Sequence, residues 1–356
     1  MKRRTFLQAG AAALGSPLVA PSIVQAQGKR VLTFVPQADI AVLDPVWTTT
    51  YQTRDHGFLV FDTLFGLDAA YNPQPQMAAG ASSDKDGAVW TITLRDGLKF
   101  HDGEPVLARD AAASIRRWGA RDGFGQALLA ATDAIDAPDD KTIVIRLKHP
   151  FPLLPDALAK TPPSMCPIMP ERLARTDPFK QVTEMVGSGP YRYKADERVP
   201  GALVVYERFD GYVPRADGVP EGTSGPKVAH FDRIEWRIMP DPSTVSAALQ
   251  RGEIDWWLAP NADLLPLLRR QSRLKVETTV PTGFVATMRF NQLHPPFDNP
   301  AIRRAIIGAV SQADYMVGMV GTDPALWRDG VGYFCPGTPL ANDAGMQALT
   351  SPRDLD

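Results

Sequence analysis

Residues 290–305 read FNQLHPPFDNPAIRRA, which places the end of a strand, a rigid Pro-Pro turn and the start of a helix within sixteen residues. Asn299 has a side chain that caps helices, and Pro300 has the fixed φ that suits the first helical position. Apolar residues then follow at the spacing of one helix face: Ile302, Ala305, Ile306 and Ala309. The stretch predicts a helix from about 300 to 309.

Three shorter blocks lie further toward the N-terminus. They read LRDGLKFHDG at 94–103, GSGPY at 187–191 and GEIDWW at 252–257. In GSGPY, glycine permits backbone angles that other residues resist, and proline fixes the exit from the turn. Alternating strand and helix patterns surround these blocks, which indicates a mixed α/β fold.

These blocks resemble family 5 extracellular solute-binding proteins, which bind peptides, nickel and related solutes for ABC importers. The family's wording where the chain crosses between lobes is close to F-N-x-x-x-x-P-F-D-N-x-x-V-R-x-A. The positions that match it are Phe290, Asn291, Pro296, Phe297, Asp298, Asn299, Arg303 and Ala305. The resemblance implies a two-lobe, periplasmic-binding-protein-like α/β fold of type II, cluster C-like, with an incomplete second lobe.

The resemblance also implies an order of domains. Residues 30–286 would form lobe I, with a main sheet domain over 30–75 and 186–286 and an inserted subdomain over 76–185. Residues 287–356 would begin lobe II. The pattern SPRD at 351–354 is typical of a helix start, yet the sequence stops two residues later, so we expect a C-terminally truncated chain. A frayed natural terminus is the alternative.

The composition is that of a soluble globular protein. The chain has 356 residues, 44% hydrophobic and 22% charged, which is material for two domains. Its 33 prolines are scattered and indicate many rigid loops. Loss of the leader would remove three of the 38 basic residues and leave 35 against 40 acidic ones, a net charge of −5. Nucleic acid is therefore not an expected partner.

Residues 1–26 have the pattern of a removable signal peptide. The sequence KRRTFL at 2–7 precedes a mildly apolar stretch, and Val24-Gln25-Ala26 suits signal peptidase, so cleavage is expected between Ala26 and Gln27. The paired arginines favour a twin-arginine leader over an ordinary secretory leader. Glycines and prolines in the apolar stretch argue against a membrane anchor, and no Cys follows the cleavage site to carry a lipid. We expect a periplasmic protein.

The chain contains two cysteines, Cys166 and Cys335. In an oxidising compartment, a disulfide that closes so long a loop would stabilise the fold by about 4–5 kcal/mol in the chain-entropy model. The two residues lie on either side of the expected lobe crossover, however, where a covalent link would restrict opening. Two buried free thiols are the alternative.

Local patterns predict individual elements around these blocks. The predicted strands are Val31 to Val35, Trp90 to Leu94, Ile143 to Leu147, Ile234 to Ile238 and Thr282 to Phe290. The predicted helices are Phe58 to Leu64, Ala108 to Trp118 and the segment from Asp241-Pro242 to Gly252.

No catalytic or metal-binding constellation is predicted. GSGPY lacks the glycines of a nucleophile elbow, and the sequence has no zinc-protease, P-loop or dinucleotide motif. The histidines are dispersed, at His56, His101, His149, His230 and His294. His101-Asp102 falls in a predicted turn, where turn chemistry already accounts for the Asp. We expect no cofactor, no metal and no enzyme activity.

A solute cleft needs apolar walls with a few oriented polar groups. The candidates, taken from loops at strand ends and from the crossover, are Tyr51, Trp257, Phe284, Arg289 and Arg95. Tyr51 would offer a hydroxyl from a polar loop, or else be a surface aromatic. Adjacent Trp256 and Trp257 would point to opposite faces of a strand, and we assign the cleft to Trp257, with both buried as the alternative. Arg289 would clamp a carboxylate or form an inter-lobe salt bridge.

The sequence therefore predicts a monomeric periplasmic solute-binding protein of an ABC-type importer. It would close two lobes around a small solute, a peptide, an opine or a similar molecule, and present it to an inner-membrane permease. The alternatives are a periplasmic sensor or scaffold with the same fold and, ranked below it, a secreted hydrolase. The sequence does not identify the ligand.

Overall fold

The computed structural model describes residues 30–161 and 164–350. The expected cleavage site between Ala26 and Gln27 and the helix-start pattern at 351–354 lie outside the described residues. Within the described ranges, strands and helices alternate along the chain as predicted for a mixed α/β fold. In these ranges, no helix has the length and apolar character needed to cross a bilayer.

The strands, in chain order, are β1 (Val31–Val35), β2 (Phe65–Leu67), β3 (Pro73–Pro75), β4 (Ala78–Ser83), β5 (Val89–Leu94), β6 (Thr132–Asp136), β7 (Thr142–Leu147), β8 (Tyr191–Tyr193), β9 (Leu203–Arg208), β10 (Arg233–Arg237) and β11 (Trp256–Trp257). The helices are α1 (Tyr51–Val60), α2 (Ala108–Gly119), α3 (Gly123–Ala131), α4 (Leu154–Ala159), α5 (Glu171–Ala174), α6 (Pro242–Arg251), α7 (Leu265–Arg269), α8 (Pro300–Ala309), α9 (Gln312–Val320) and α10 (Gln347–Thr350).

The larger sheet has five strands in the order β11-β1-β10-β9-β8. β1 runs parallel to both β10 and β11, and β9 pairs antiparallel with β10 and β8. Phe34 of β1 lies beside Trp236 of β10, with ring centroids 5.5 Å apart, and Trp236 lies 5.1 Å from Tyr206 of β9. One face of the sheet therefore carries a row of packed aromatic rings.

A second sheet has four antiparallel strands in the order β4-β5-β7-β6. Ile92 of β5 is fully buried and lies opposite Ile143 of β7, whereas Thr93 next to it is exposed. This is the period-2 alternation predicted for a half-buried strand. α2 packs beside β7 and buries one side of this sheet.

A buried ion pair connects the loop after β1 to α2. Arg117 Nη2 lies 2.6 Å from Asp44 Oδ2, and both side chains are almost completely enclosed. Asp44 also accepts hydrogen bonds from the backbone N–H groups of Val46, at 3.0 Å, and Val182, at 2.8 Å. Because a charge buried without such partners would be very costly, these contacts fix the path of the loop that leads to α1.

Helix ends that were predicted from capping residues are confirmed. Asn299 Oδ1 accepts from the N–H of Ala301 at 2.9 Å, and α8 begins at Pro300. α6 begins in the same way at Pro242, after Asp241, which accepts from the N–H of Thr244 at 2.7 Å. The helix is followed by Gly252, which has a φ of +73°.

The helix predicted from Phe58 to Leu64 is wrong at both ends, because α1 starts seven residues earlier, at Tyr51, and ends at Val60. Its last turn closes with the N–H of Phe61 bonded to Gly57 O at 2.8 Å. Beyond that point the backbone binds other segments: Ile168 N donates to Asp62 O at 3.0 Å. α1 buries Thr53, His56 and Gly57, so it lacks the apolar stripe from which amphipathic helices are recognised.

The strand predicted from Thr282 to Phe290 is also wrong. Among the described residues, this segment pairs with no strand. Its one backbone–backbone hydrogen bond there runs from the N–H of Gly283 to Val280 O, at 2.9 Å. Alternating side chains alone do not make a strand, because the ladder needs a partner for its backbone groups.

The glycines of GSGPY are required for a reason other than the one predicted. Neither has a positive φ; instead, a Cβ on Gly187 would lie 1.9 Å from Val60 O, and one on Gly189 would lie 2.7 Å from Leu59 O. The turn runs directly over the end of α1, with Gly189 N donating to Val60 O at 2.9 Å. Only glycine leaves space for this backbone approach.

His101 holds the same turn from the other side. Its Nδ1 accepts from the N–H of Gly187 at 3.3 Å, and its Nε2 lies 3.0 Å from Gly189 O, to which it donates. The two bonds require a neutral ring with the proton on Nε2. Burial lowers the pKa of His101 to about 4, which favours this neutral form.

Candidate ligand-binding site

Two of the predicted site residues meet at the surface. Tyr51 and Phe284 have ring centroids 5.6 Å apart, and they are 40% and 69% exposed. The guanidinium of Arg54 lies 4.7 Å from the centre of the Tyr51 ring. We call Tyr51, Arg54 and Phe284 the aromatic platform. It offers two exposed aromatic faces beside a partly buried cation that is paired with Asp55, a combination that suits apolar groups.

The start of α1 positions the platform. Tyr51 is the first residue of this helix and not part of a polar loop as predicted. Thr53 Oγ1, two residues further along the same turn, donates to Val42 O at 2.5 Å and lies 3.0 Å from Thr50 Oγ1. The loop after β1 is thereby tied to the first turn of the helix, which limits the movement of Tyr51.

Arg54 is held by its neighbour Asp55. Both Nε, at 2.8 Å, and Nη2, at 2.6 Å, donate to Asp55 Oδ1. Burial raises the pKa of the Asp55 carboxyl, while the charge of Arg54 opposes that shift. Sequence reasoning missed Arg54. Its i, i+3 spacing from Tyr51 would have identified it if the helix had been predicted to start at 51.

The paired tryptophans lie in different surroundings, and the assignment of Trp257 to the cleft stays a prediction. Trp256 is 46% exposed, and its ring touches Phe34 at 5.0 Å. Trp257 is half-buried and packs against a small apolar cluster that includes Val35, Val245 and Ala248. The two side chains do point to opposite faces, but α6 covers the face of Trp257 and leaves Trp256 as the more accessible one.

Arg95 belongs to a polar cluster inside the fold. Its Nε donates to Gln76 O at 3.1 Å. The centre of this cluster is the buried carboxylate of Asp62, which binds Lys227 Nζ at 2.6 Å and Tyr212 OH at 2.8 Å. None of the hydrogen bonds of Arg95 reaches the platform. The structure therefore places Arg95 apart from the other candidates.

Arg289 is exposed and forms no ion pair with any described residue. It lies five residues after Phe284 in the segment that links the main sheet to α8. The inter-lobe salt bridge considered as its alternative is not formed within the described ranges.

The remaining histidine of interest, His56, is buried in α1. Its Nδ1 lies 3.0 Å from Tyr206 OH, and burial lowers its pKa to about 3. Across the described ranges, no group of three or more His, Cys, Asp or Glu side chains is placed to hold a metal ion. His56 and His101 thus connect elements of the fold.

The structure has both cysteines as free thiols and not as a disulfide. Cys166 is 1% exposed within the main core. Cys335 is half-buried, and its Sγ lies 3.5 Å from Gly283 O. The two sulfurs therefore lie in different parts of the fold, one in the main core and one beside Gly283.

Known proteins resemble this chain in sequence and in fold. The family described as bacterial extracellular solute-binding proteins, family 5 Middle, matches residues 72–321. The probable peptide ABC transporter periplasmic-binding protein y4tO of Sinorhizobium fredii is 38% identical over 358 residues, which covers 95% of this chain and 66% of that protein. The glutathione-binding protein GsiB of Salmonella typhimurium is 28% identical over 281 residues, 77% of this chain and 51% of that protein.

Solved structures show the same fold. The periplasmic binding protein DppA from Helicobacter pylori, in complex with the peptide STSA, has a TM-score of 0.67 at 23% identity, covering 82% of this chain and 59% of that one. A dipeptide-binding protein from Pseudoalteromonas, in complex with Met-Leu, has a TM-score of 0.64 at 21% identity, covering 81% and 58%. The chain thus spans between 51% and 66% of the length of these four relatives. Since the family match extends over more than half of its residues, the chain belongs to family 5 of the bacterial extracellular solute-binding proteins.

Proposed function

We propose that this protein is the solute-binding component of an ABC-type importer and that its solute is a peptide or a peptide-like molecule. Membership of the family supports binding and transport. The name of the Sinorhizobium relative and the peptides bound in two of the similar structures support the solute class. The protein would work in the periplasm as a monomer and deliver its solute to a permease in the inner membrane, without a nucleic-acid partner.

The observation that carries the proposal is the exposed aromatic platform. Its two rings come from the first turn of α1 and from the segment that leads to α8, so a ligand on it would touch both parts of the chain. Aromatic faces pack against apolar side chains and amide planes, and the exposed guanidinium of Arg289, five residues after Phe284, would bind a carboxylate. A short peptide has all three of these features.

The strand orders support a division into lobes. One sheet takes its strands from 31–35 and 191–257, and the other takes its strands from 78–147. We therefore propose a lobe I with a main sheet domain over 30–75 and 186–286, an inserted subdomain over 76–185, and a lobe II that begins at about residue 287.

The proposed mechanism is conformational and needs no covalent chemistry. Contacts that a solute makes with both lobes exist only when the lobes are close together, so the solute shifts the equilibrium toward the closed form. The permease would then recognise that closed surface. A KRR sequence at the N-terminus supports export, and we propose the twin-arginine route with cleavage before Gln27.

A thermal-shift titration of the purified protein tests the proposal. The panel comprises di- and tripeptides, glutathione, an opine, an oligosaccharide and a nickel–histidine complex. We expect saturable stabilisation by at least one peptide, with the peptide recovered intact, because binding to the folded state alone raises Tm. Consumption of a panel member would instead favour the hydrolase. No stabilisation by any peptide, or unchanged peptide uptake after deletion of the neighbouring permease, would contradict the proposal.

A further inference from the structure

Tyr71 has an unusual backbone. Its φ is +66°, in the left-handed region that residues other than glycine rarely adopt. Such a conformation persists only where the surroundings enforce it, and it is often connected with a function.

Asp68 enforces this conformation through a tight turn. Its Oδ1 accepts from the N–H groups of Ala70 and Asn72, both at 2.9 Å. Its Oδ2 accepts from Gln74 Nε2 at 3.0 Å and Asn72 Nδ2 at 3.3 Å, and Tyr71 N donates to Asp68 O at 3.1 Å. One carboxylate therefore organises the whole turn around Tyr71.

The turn directs the Tyr71 side chain to a distant part of the chain. Tyr71 OH lies 2.7 Å from Thr282 Oγ1, and the two residues are 211 positions apart in the sequence. Thr282 is followed directly by Gly283, whose φ of +73° changes the direction of the backbone. The contact is thus made where the chain leaves the main sheet for α8.

Three successive residues at this point are each held by a different side chain. Thr282 contacts the hydroxyl of Tyr71. The carbonyl of Gly283 accepts a hydrogen bond from the Cys335 thiol, with Sγ 3.5 Å from the oxygen. Phe284 packs on Tyr51, with ring centroids 5.6 Å apart. The partners come from the turn after β2, from the segment after α9, and from α1. Residues 282–284 are therefore fixed from three directions, although they belong to no strand.

We propose that Tyr71 is a positioning residue for the aromatic platform: its hydroxyl fixes Thr282 and thereby determines where Phe284 stands against Tyr51. The consequence for solute recognition rests on the proposed function, whereas the fixing of residues 282–284 does not. Loss of the hydroxyl leaves the turn and the ring in place but frees this segment.

The reactivity of Cys335 reports on this segment. Cys166 is enclosed in the core, and burial raises the pKa of its thiol, so it reacts slowly in the native state. The chain has no other cysteine besides these two. The rate at which a chromogenic disulfide reagent labels the native full chain therefore measures how often Cys335 leaves Gly283.

We expect Tyr71→Phe and Thr282→Val each to speed labelling about 2- to 10-fold, the range that corresponds to the loss of one hydrogen bond. The double variant should be no faster than either single variant, because both remove the same bond. Thr282→Ser keeps a hydroxyl and should restore the wild-type rate. Tyr315→Phe removes a hydroxyl from another exposed tyrosine, on α9, and should leave the rate unchanged.

A rate in Tyr71→Phe equal to that of the wild type would overturn the proposal. So would additive effects in the double variant, or the same acceleration in Tyr315→Phe. The urea midpoint of each variant checks that global unfolding does not cause the change. Because no solute is present, the outcome is independent of the proposed function, which the peptide titration decides separately.

Discussion

Gly187 shows how one residue can be specified by its neighbours and not by its own conformation. The carbonyl of Val60 at the end of α1 occupies the position that a side chain on Gly187 would need. Ser188, between the two glycines, donates to Ile168 O at 2.9 Å and accepts from Asp62 N at 3.1 Å. The GSGPY turn therefore joins α1 to the segment at 168.

We predict that Gly187→Ala lowers the free energy of unfolding by about 3 kcal/mol. The added methyl group meets a backbone oxygen, which cannot turn away as a side chain can, so the turn and the end of α1 must separate. Urea unfolding of the wild type and the variant measures this loss.

Gly123→Ala is the matched control. A Cβ at Gly123, the first residue of α3, would meet nothing within 4 Å, so its free energy of unfolding should stay within about 1 kcal/mol of the wild type or rise. Equal free energies of unfolding for Gly187→Ala and the wild type would contradict the prediction, because they would show that the turn moves aside at little cost.

Single residues also mark where sequence reasoning ends. The opposite orientation of Trp256 and Trp257 follows from strand geometry alone, but which side α6 covers depends on tertiary packing. Tyr51 and Phe284 were both identified from the sequence as candidates. Their contact could not be predicted, because it joins segments that are far apart in the sequence.

At the scale of elements, predictions succeeded where local chemistry marks an end. α6 and α8 each begin with a capping side chain followed by proline, and both were located correctly. α1 was placed wrongly because Thr50, the residue before its first turn, makes no side-chain cap and because the helix buries polar residues. The segment before α8 was taken for a strand because its alternation could not show whether a partner strand exists.

Two buried histidines connect elements, and they make the stability depend on pH. Burial lowers the pKa of His56 to about 3 and that of His101 to about 4, below the value of about 6.5 in the unfolded chain. The unfolded state therefore binds more protons below pH 6.5. We predict that the free energy of unfolding is constant above that pH and falls below it, by about 1.4 kcal/mol per pH unit for each histidine down to about pH 4.

Urea unfolding at several pH values between 4.5 and 7.5 checks this prediction. His101→Asn supplies one donor and one acceptor but does not titrate. Its free energy of unfolding should therefore fall less steeply as the pH is lowered, by the contribution of one histidine. His230→Gln removes an exposed histidine and should keep the wild-type slope. A slope that is the same in His101→Asn and the wild type would contradict the account.

At the scale of the whole molecule, the described residues combine a five-stranded, a four-stranded and a two-stranded sheet with a linking segment and the helices that follow it. Short sequence blocks were enough to predict the family and its α/β fold, because each block specifies a turn or a helix start that the fold requires. The platform was harder to predict, since it depends on how the segment after the main sheet returns to α1. Tyr71 was not identified from the sequence because its turn depends on hydrogen bonds that the Asp68 carboxylate accepts from the backbone and from the Gln74 side chain together.

Isothermal titration calorimetry tests the central claim most directly. The titrant is the peptide that gives the largest thermal shift. The proteins are the wild type, the double platform variant Tyr51→Ala/Phe284→Ala and the control variant Phe179→Ala. Phe179 is a similarly exposed phenylalanine, at 65%, that packs on Arg121, which is not a platform residue.

We predict saturable binding by the wild type with the peptide recovered intact, and the same affinity in Phe179→Ala. The double platform variant should bind at least about tenfold more weakly, because aromatic anchors contribute roughly 1.5 kcal/mol or more to such contacts. Unchanged affinity in the double variant would contradict the placement of the site. Absence of saturable binding by the wild type would contradict the function itself.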